Sequence, residues 1–263
     1  TQMRNTRARN NRKSGYVVGL MDDLGLYQYA DDPFGMLRNN EKDTTKAWWH
    51  DAITKPADPL RRPAHKYFFD REVDVTSDRF DETNVGSGTV LTLQDRRGGW
   101  AKFTNGSADN NNYFYEAVNE IAAMVDGYHI WFDTEIEITN VDQCDLFVGL
   151  CSTLGSGNLF DNRVDCIGFT LADGAADLQY VATQNSTGSP ADTGVDLADL
   201  TAVKLSFVVT GLTRVDFYVD DIYVANLIEN LPDDEEMAFA FGLRNGEAVA
   251  NAMSITTTTV LLD

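Results

Sequence analysis

From residue 128 to residue 138 apolar side chains recur at every second position, with Thr134 as the one polar member of that set. Tyr128, Ile130, Phe132, Thr134, Ile136 and Ile138 fall on one side of an extended chain, and His129, Trp131, Asp133, Glu135 and Glu137 on the other. A helix would scatter these residues around its circumference, whereas a strand with one face in a core accommodates them directly. Val203, Leu205, Phe207 and Val209 repeat the pattern, as do Val215, Phe217 and Val219. The joints Gly211-Leu212 and Asp220-Asp221 predict tight hairpins between the runs they separate. Further runs rich in β-branched and aromatic residues, bounded by Gly, Asn and Asp, read as strands near 67–75, 88–94, 98–104, 112–118, 145–152, 164–171, 178–183, 222–228, 236–243 and 253–262. Only 115–124 has helical character. The expectation is an all-β fold over 67–263, two antiparallel sheets packed face to face, with 203–209 and 215–219 facing inward.

Residues 1–66 have a different texture. They show no sustained period, and Gly15, Gly19, Gly25, Pro33, Gly35, Pro56, Pro59 and Pro63 interrupt them. They read as an extended N-terminal arm that carries sticky side chains, among them Phe34, Trp48 and Trp49. Charge divides at the same place. The arm holds 12 Lys/Arg against 8 Asp/Glu, a net of +4, while 67–263 holds 9 against 33, a net of −24. Arg4, Arg7, Arg9, Arg12 and Lys13 precede the first acidic residue. A domain so acidic is repelled by phosphate backbones, which disfavours nucleic acid as a partner. The arm's cations and aromatics suit a protein surface instead: another protein, a neighbouring copy of the chain, or the chain's own acidic sandwich.

Cys144, Cys151 and Cys166 are an odd number without zinc-ligand spacing, and they read as buried free thiols made in a reducing compartment. No apolar run approaches the roughly 20 residues that span a bilayer. No apolar segment of signal-peptide type follows the basic start.

The stretch TRVDFYVDDIYVANLIENLP (213–232) resembles paired strands of concanavalin-like and laminin-G-like jelly rolls. FFDREV (68–73), GWAKFTNG (99–106), IWFDTEIEI (130–138), DLFVGLCST (145–153) and CIGFTLADG (166–174) follow the same order, and 237–263 fits a closing hairpin and core strand. The set as a whole resembles virion proteins of tailed bacteriophages, in which such a domain decorates or cements the head. That resemblance implies a head decoration or cement protein on the outer capsid, made in the host cytoplasm. Its partners would be the major capsid protein and other copies of itself, as a homo-oligomer, with no membrane and no cofactor. Arg4, Arg7, Arg9, Arg12, Lys13, Phe34, Trp48 and Trp49 would then form the binding arm.

Chemistry has one candidate. Asp133, Glu135 and Glu137 share a strand face, with Trp131 beside them as a surface on which a sugar could stack. Jelly-roll β-glucanases use an acidic strand of this kind, one carboxylate attacking and another donating a proton. Here the order is D-T-E-I-E rather than E-x-D-x-E, so the row is read as a solvated face and the chain as non-enzymatic, with no catalytic residue. A carbohydrate-binding sandwich from a phage tail or fibre is the alternative, and a glycoside hydrolase stands behind it. Asn-rich 109–113 and the acidic turns 220–221 and 233–234 lack the fixed spacing of a Ca²⁺ loop, so no metal is expected.

Overall fold

The computed structural model describes residues 64–67, 80–86, 90–96, 99–152, 160, 164–233 and 235–262. Strands are numbered in chain order. The larger sheet runs β14 (Ile222–Leu227), β13 (Arg214–Val219), β12 (Val203–Thr210), β7 (His129–Ile138), β16 (Ala252–Ile255), β4 (Trp100–Thr104) and β3 (Val90–Gln94), each antiparallel to its neighbour. β17 (Thr258–Leu262) also pairs with β7 and carries β1 (Ala64–Tyr67) on its far side. The second sheet runs β11 (Ala191–Asp196), β10 (Asp177–Thr183), β9 (Cys166–Leu171), β8 (Cys144–Cys151), β15 (Glu236–Asn245), β5 (Asn112–Ala117) and β2 (Phe80–Val85). β6 (Ala122–Ala123) pairs with the start of β15. The only described helical piece is a single 3-10 turn at Val141–Gln143.

The inner faces of the two sheets form one apolar cluster. Ile130, Phe132, Ile136 and Ile138 of β7 enter it as the alternation requires, together with the inward sets of β12 and β13. Register explains how the aromatics meet: Phe207 pairs with Phe132 on one side and with Phe217 on the other. The Phe132 and Phe207 rings stack at 4.6 Å and 5°, and Phe239 of the opposite sheet lies 5.9 Å from Phe132. Tyr128 departs from the expected face, since it lies before the strand and is largely exposed. At the tip of the β13–β14 hairpin Asp220 and Asp221 both have positive φ, 50° and 67°, the backbone of a two-residue type I′ turn.

The structure differs from the sequence reading in four places. Residues 115–124 are not helical: β5 runs to Ala117 and β6 follows. β2 and β11 are strands that the pattern did not suggest. The stretch 253–262 is two strands, because the pairing along β7 slips by one residue between Ile255↔Ile136 and Thr259↔Asp133. That slip, a β-bulge in effect, sends β16 towards β4 and β17 towards β1. Finally, β1 takes in Ala64, His65 and Lys66, which the sequence reading puts at the end of the arm. The proposed binding residues Arg4, Arg7, Arg9, Arg12, Lys13, Phe34, Trp48 and Trp49 lie outside the described residues.

Candidate functional site

The outer face of β7 brings together side chains from three strands and a turn. Opposite β7, register sets Lys204 against Glu135, Ser206 against Asp133 and Val208 against Trp131. Asp133 accepts a hydrogen bond from Ser206 Oγ at 2.7 Å and faces Lys204 Nζ at 3.4 Å. The same ammonium reaches Asp221 Oδ1 at 3.3 Å. At the other end of the row Glu137 Oε1 accepts from Arg96 at 2.9 Å, and the Arg96 guanidinium lies 3.8 Å above the Trp100 ring. Stacking of this kind fixes the plane of the guanidinium and so aims its donors.

Glu135 stands between these two ion pairs, about 6–7 Å along the strand from each neighbouring carboxylate residue. It is half-buried, and that burial raises its pKa above the ordinary glutamate value. Lys204 and Arg96 act in the opposite sense, while Asp220 and Asp133 add to the rise. Three carboxylates on one strand therefore differ in environment. The outer two each face a cation at close range, and the central one is held towards its protonated form.

Two expectations need correcting. The row is not a solvated face: all three carboxylates are only partly exposed, and two are engaged by cations. Trp131 is not a platform for a sugar, because it is 1% exposed. It stacks with His129 at 5.5 Å, and its register neighbours Val208 and Leu261 are buried as well. The expectation missed Arg96, Trp100, Lys204 and Ser206. Lys204 and Ser206 could have been found, since they alternate with the apolar set of 203–209 and so lie on the outer face. Arg96 and Trp100 could not, because only strand pairing brings them near Glu137.

The other candidates fall into structural roles. The Asn-rich segment belongs to a network that clips loops to strands. Asn105 Nδ2 donates to Asn111 O, Leu243 O and Asn245 Oδ1, and Asn245 Nδ2 donates to Gly106 O and Ala108 O. Asp220 Oδ1 accepts from the Lys204 amide at 2.9 Å, which ties the hairpin tip to β12. Asp233 accepts from Gln184 Nε2. Among the described residues no group of three or more His, Cys, Asp or Glu side chains is arranged to hold a metal ion.

No protein-family model matches the chain, and no curated protein does. Solved structures do. An endo-1,3-β-glucanase from Streptomyces sioyaensis matches with a TM-score of 0.55 at 11% identity, over 79% of this chain and 99% of that one. The Bacillus licheniformis β-glucanase matches with a TM-score of 0.52 at 12% identity, over 75% of this chain and 97% of that one. The Emp47p carbohydrate recognition domain matches with a TM-score of 0.54 at 8% identity, over 78% and 98%. The sandwich is a concanavalin-like jelly roll. At such identities the likeness carries the fold alone, and it lends no support to the resemblance to phage virion proteins. The reading of the chain as non-enzymatic is corrected on two grounds. β-Glucanases share this jelly roll over three quarters of the chain, so the fold gives no reason to set hydrolysis aside, and the row is not the solvated face on which that reading rested.

Proposed function

We propose that this jelly roll acts on β-linked polysaccharide, with Asp133, Glu135 and Glu137 as its reactive row. The observation that carries the reading is the unequal treatment of three carboxylates on one strand face. A glycosidic bond is broken by a pair of carboxyl groups in different protonation states, one giving a proton to the leaving oxygen and the other acting as nucleophile or base. Glu135, half-buried with a raised pKa, is the proton donor in this reading. Asp133, set by Ser206 and Lys204, and Glu137, set by Arg96, are the candidates for the anionic partner.

The test is release of reducing ends from soluble β-1,3- and β-1,4-glucans by the full chain, beside retardation of the protein in gels cast with the same polymers. Turnover that is lost in Glu135→Gln while retardation persists is the expected result. Neither release nor retardation on any β-glucan would refute the reading.

A second reading is favoured by the division of charge, +4 in residues 1–66 against −24 beyond. A basic arm bearing Phe34, Trp48 and Trp49 would fasten the chain to a capsid, with the major capsid protein and further copies of itself as partners. The two readings are compatible, since a sandwich displayed on a virion can meet surface glycans. Copy counting by mass spectrometry of intact virions tests the second. Its absence from purified particles would end it, and so would full occupancy of heads by a chain lacking 1–66.

A further inference from the structure

The outer face of the second sheet carries its own apolar cluster, separate from the core: Phe114, Phe147, Cys151, Cys166, Val181 and Ala240, with Phe160 packed against it. Two of the three cysteines are therefore on the same face of the same sheet. Register places them directly opposite each other, Cys151 on β8 and Cys166 on β9. The type of pair follows from the next rung. The Ser152 amide donates to Asp165 O at 2.9 Å, which makes Ser152 and Asp165 a hydrogen-bonded pair. Hydrogen-bonded and non-hydrogen-bonded pairs alternate along an antiparallel ladder, so Cys151 and Cys166 are a non-hydrogen-bonded pair, with Cα atoms about 4.5 Å apart. That separation lies within the range a disulfide spans, roughly 4.4–6.8 Å, near its lower end. Cys144 is excluded from the arrangement, since its side chain belongs to the inner cluster and lies 3.7 Å from Val141 O.

We propose that Cys151 and Cys166 are a redox pair that closes into a cross-strand disulfide on exposure to a small-molecule disulfide. One cysteine thiolate attacks a sulfur of the small disulfide and releases one thiol, which leaves a mixed disulfide on the protein. The second cysteine thiolate then attacks the protein sulfur of that bond and releases the second thiol. Two protein thiols are oxidised, one small disulfide is reduced to two thiols, and the two cysteine protons end on the released thiols.

The folded chain meets this reaction slowly. Both cysteines are fully buried, and burial pushes the Cys151 thiol well above its ordinary pKa, with Glu116 and Cys166 adding to the rise. Thr183 Oγ1 also donates to Cys166 Sγ at 3.2 Å. The bond forms as the chain folds, before the two thiols are buried. Once formed it closes the base of the 152–165 connection, tying β8 to β9 at the rim of the cluster.

The experiment uses the full chain, unfolded in urea and refolded by dilution into a buffer of reduced and oxidised glutathione. Free thiols are then counted after acid quench, and unreduced digests are mapped by mass spectrometry. The expected result is one remaining free thiol, at Cys144, and a linked peptide joining Cys151 to Cys166. The thermal midpoint should exceed that of the reduced protein by about 5 °C or more. Cys151→Ala and Cys166→Ala should form no intramolecular bond under the same conditions. Three free thiols, a bond that includes Cys144, or a lowered midpoint would each overturn the proposal. If refolding yields no soluble protein, the same count is made on Cys144→Ala produced in an oxidising compartment. A mass two hydrogens below the reduced form supports the pair, and an unchanged mass overturns it.

Discussion

Truncating Phe207 is a direct test of the core. The side chain is fully buried in the middle of β12, stacked at 4.6 Å on Phe132 and 5.9 Å from Phe217. Phe→Ala in a packed core removes the transfer free energy of the ring and leaves a cavity, about 3–5 kcal/mol together. Two ring partners put this site towards the upper part of that range, since an aromatic pair adds about 0.5–1.5 kcal/mol beyond area. Neighbouring rings are held by their own strands and cannot collapse far into the space. Phe207→Leu keeps most of the volume and should cost far less, about 1.5 kcal/mol or under. Urea unfolding of the two variants and the parent should therefore give well-separated midpoints at a common slope, because the surface exposed on unfolding hardly changes. A cost below about 1 kcal/mol for Phe207→Ala, against the range expected for a buried ring, would refute the stacked arrangement. So would equal costs for Ala and Leu.

Three further outcomes follow from the described geometry. Glu135 has a raised pKa in the folded chain, so the stability linked to its protonation is fully present below the unfolded pKa and is lost as pH rises through the folded one. Glu135→Gln should accordingly be more stable than the parent at neutral pH, with the gain fading as pH falls into the ordinary glutamate range in denaturation curves. Gly149→Ala would place a Cβ 2.2 Å from Ile167 O and 2.6 Å from Gly168 Cα, both backbone atoms. It should cost about 1–3 kcal/mol by chemical denaturation, as overpacked sites do. Asn245→Ala takes the side-chain donor away from Gly106 O and Ala108 O, and one of its three acceptors from Asn105 Nδ2. About 1–3 kcal/mol of stability should go with it, and faster amide exchange at Asn110, whose NH donates to Asn245 O, would show the loop loosening.

The inner faces were legible in the sequence because each long strand has one face in the core and one outside. That asymmetry writes itself as alternation in 130–138, 203–209 and 215–219. β2 and β11 lack it. FDETNV and ADTGVD are short outermost strands with few buried side chains, so their composition is that of turns. The acidic row was legible as a row, but its meaning was not. Whether Glu135 is solvated depends on Lys204, Arg96 and the packing around it, which only register and tertiary contact bring in. The buried state of Trp131 was hidden for a similar reason, since a strand's outer face is normally wet. The pairing of Cys151 with Cys166 needs the β8–β9 register, and no spacing rule supplies it.

The order in which the strands are laid down has a consequence for how the chain is made. β15, β16 and β17 come last in sequence, yet β15 sits between β8 and β5, and β16 and β17 between β7 and its outer neighbours. A nascent chain leaving the ribosome would hold β4, β5, β7 and β8 with one ladder edge each unfilled until these strands emerged. Synthesis proceeds at roughly 5–20 residues per second, so those edges would wait for seconds. During that interval they are templates for pairing with other chains, and a nascent sandwich stalled before residue 236 should recruit chaperones or aggregate. Once the final segment arrives, pairings across more than a hundred residues close together, and folding of such non-local topology is slow and strongly cooperative.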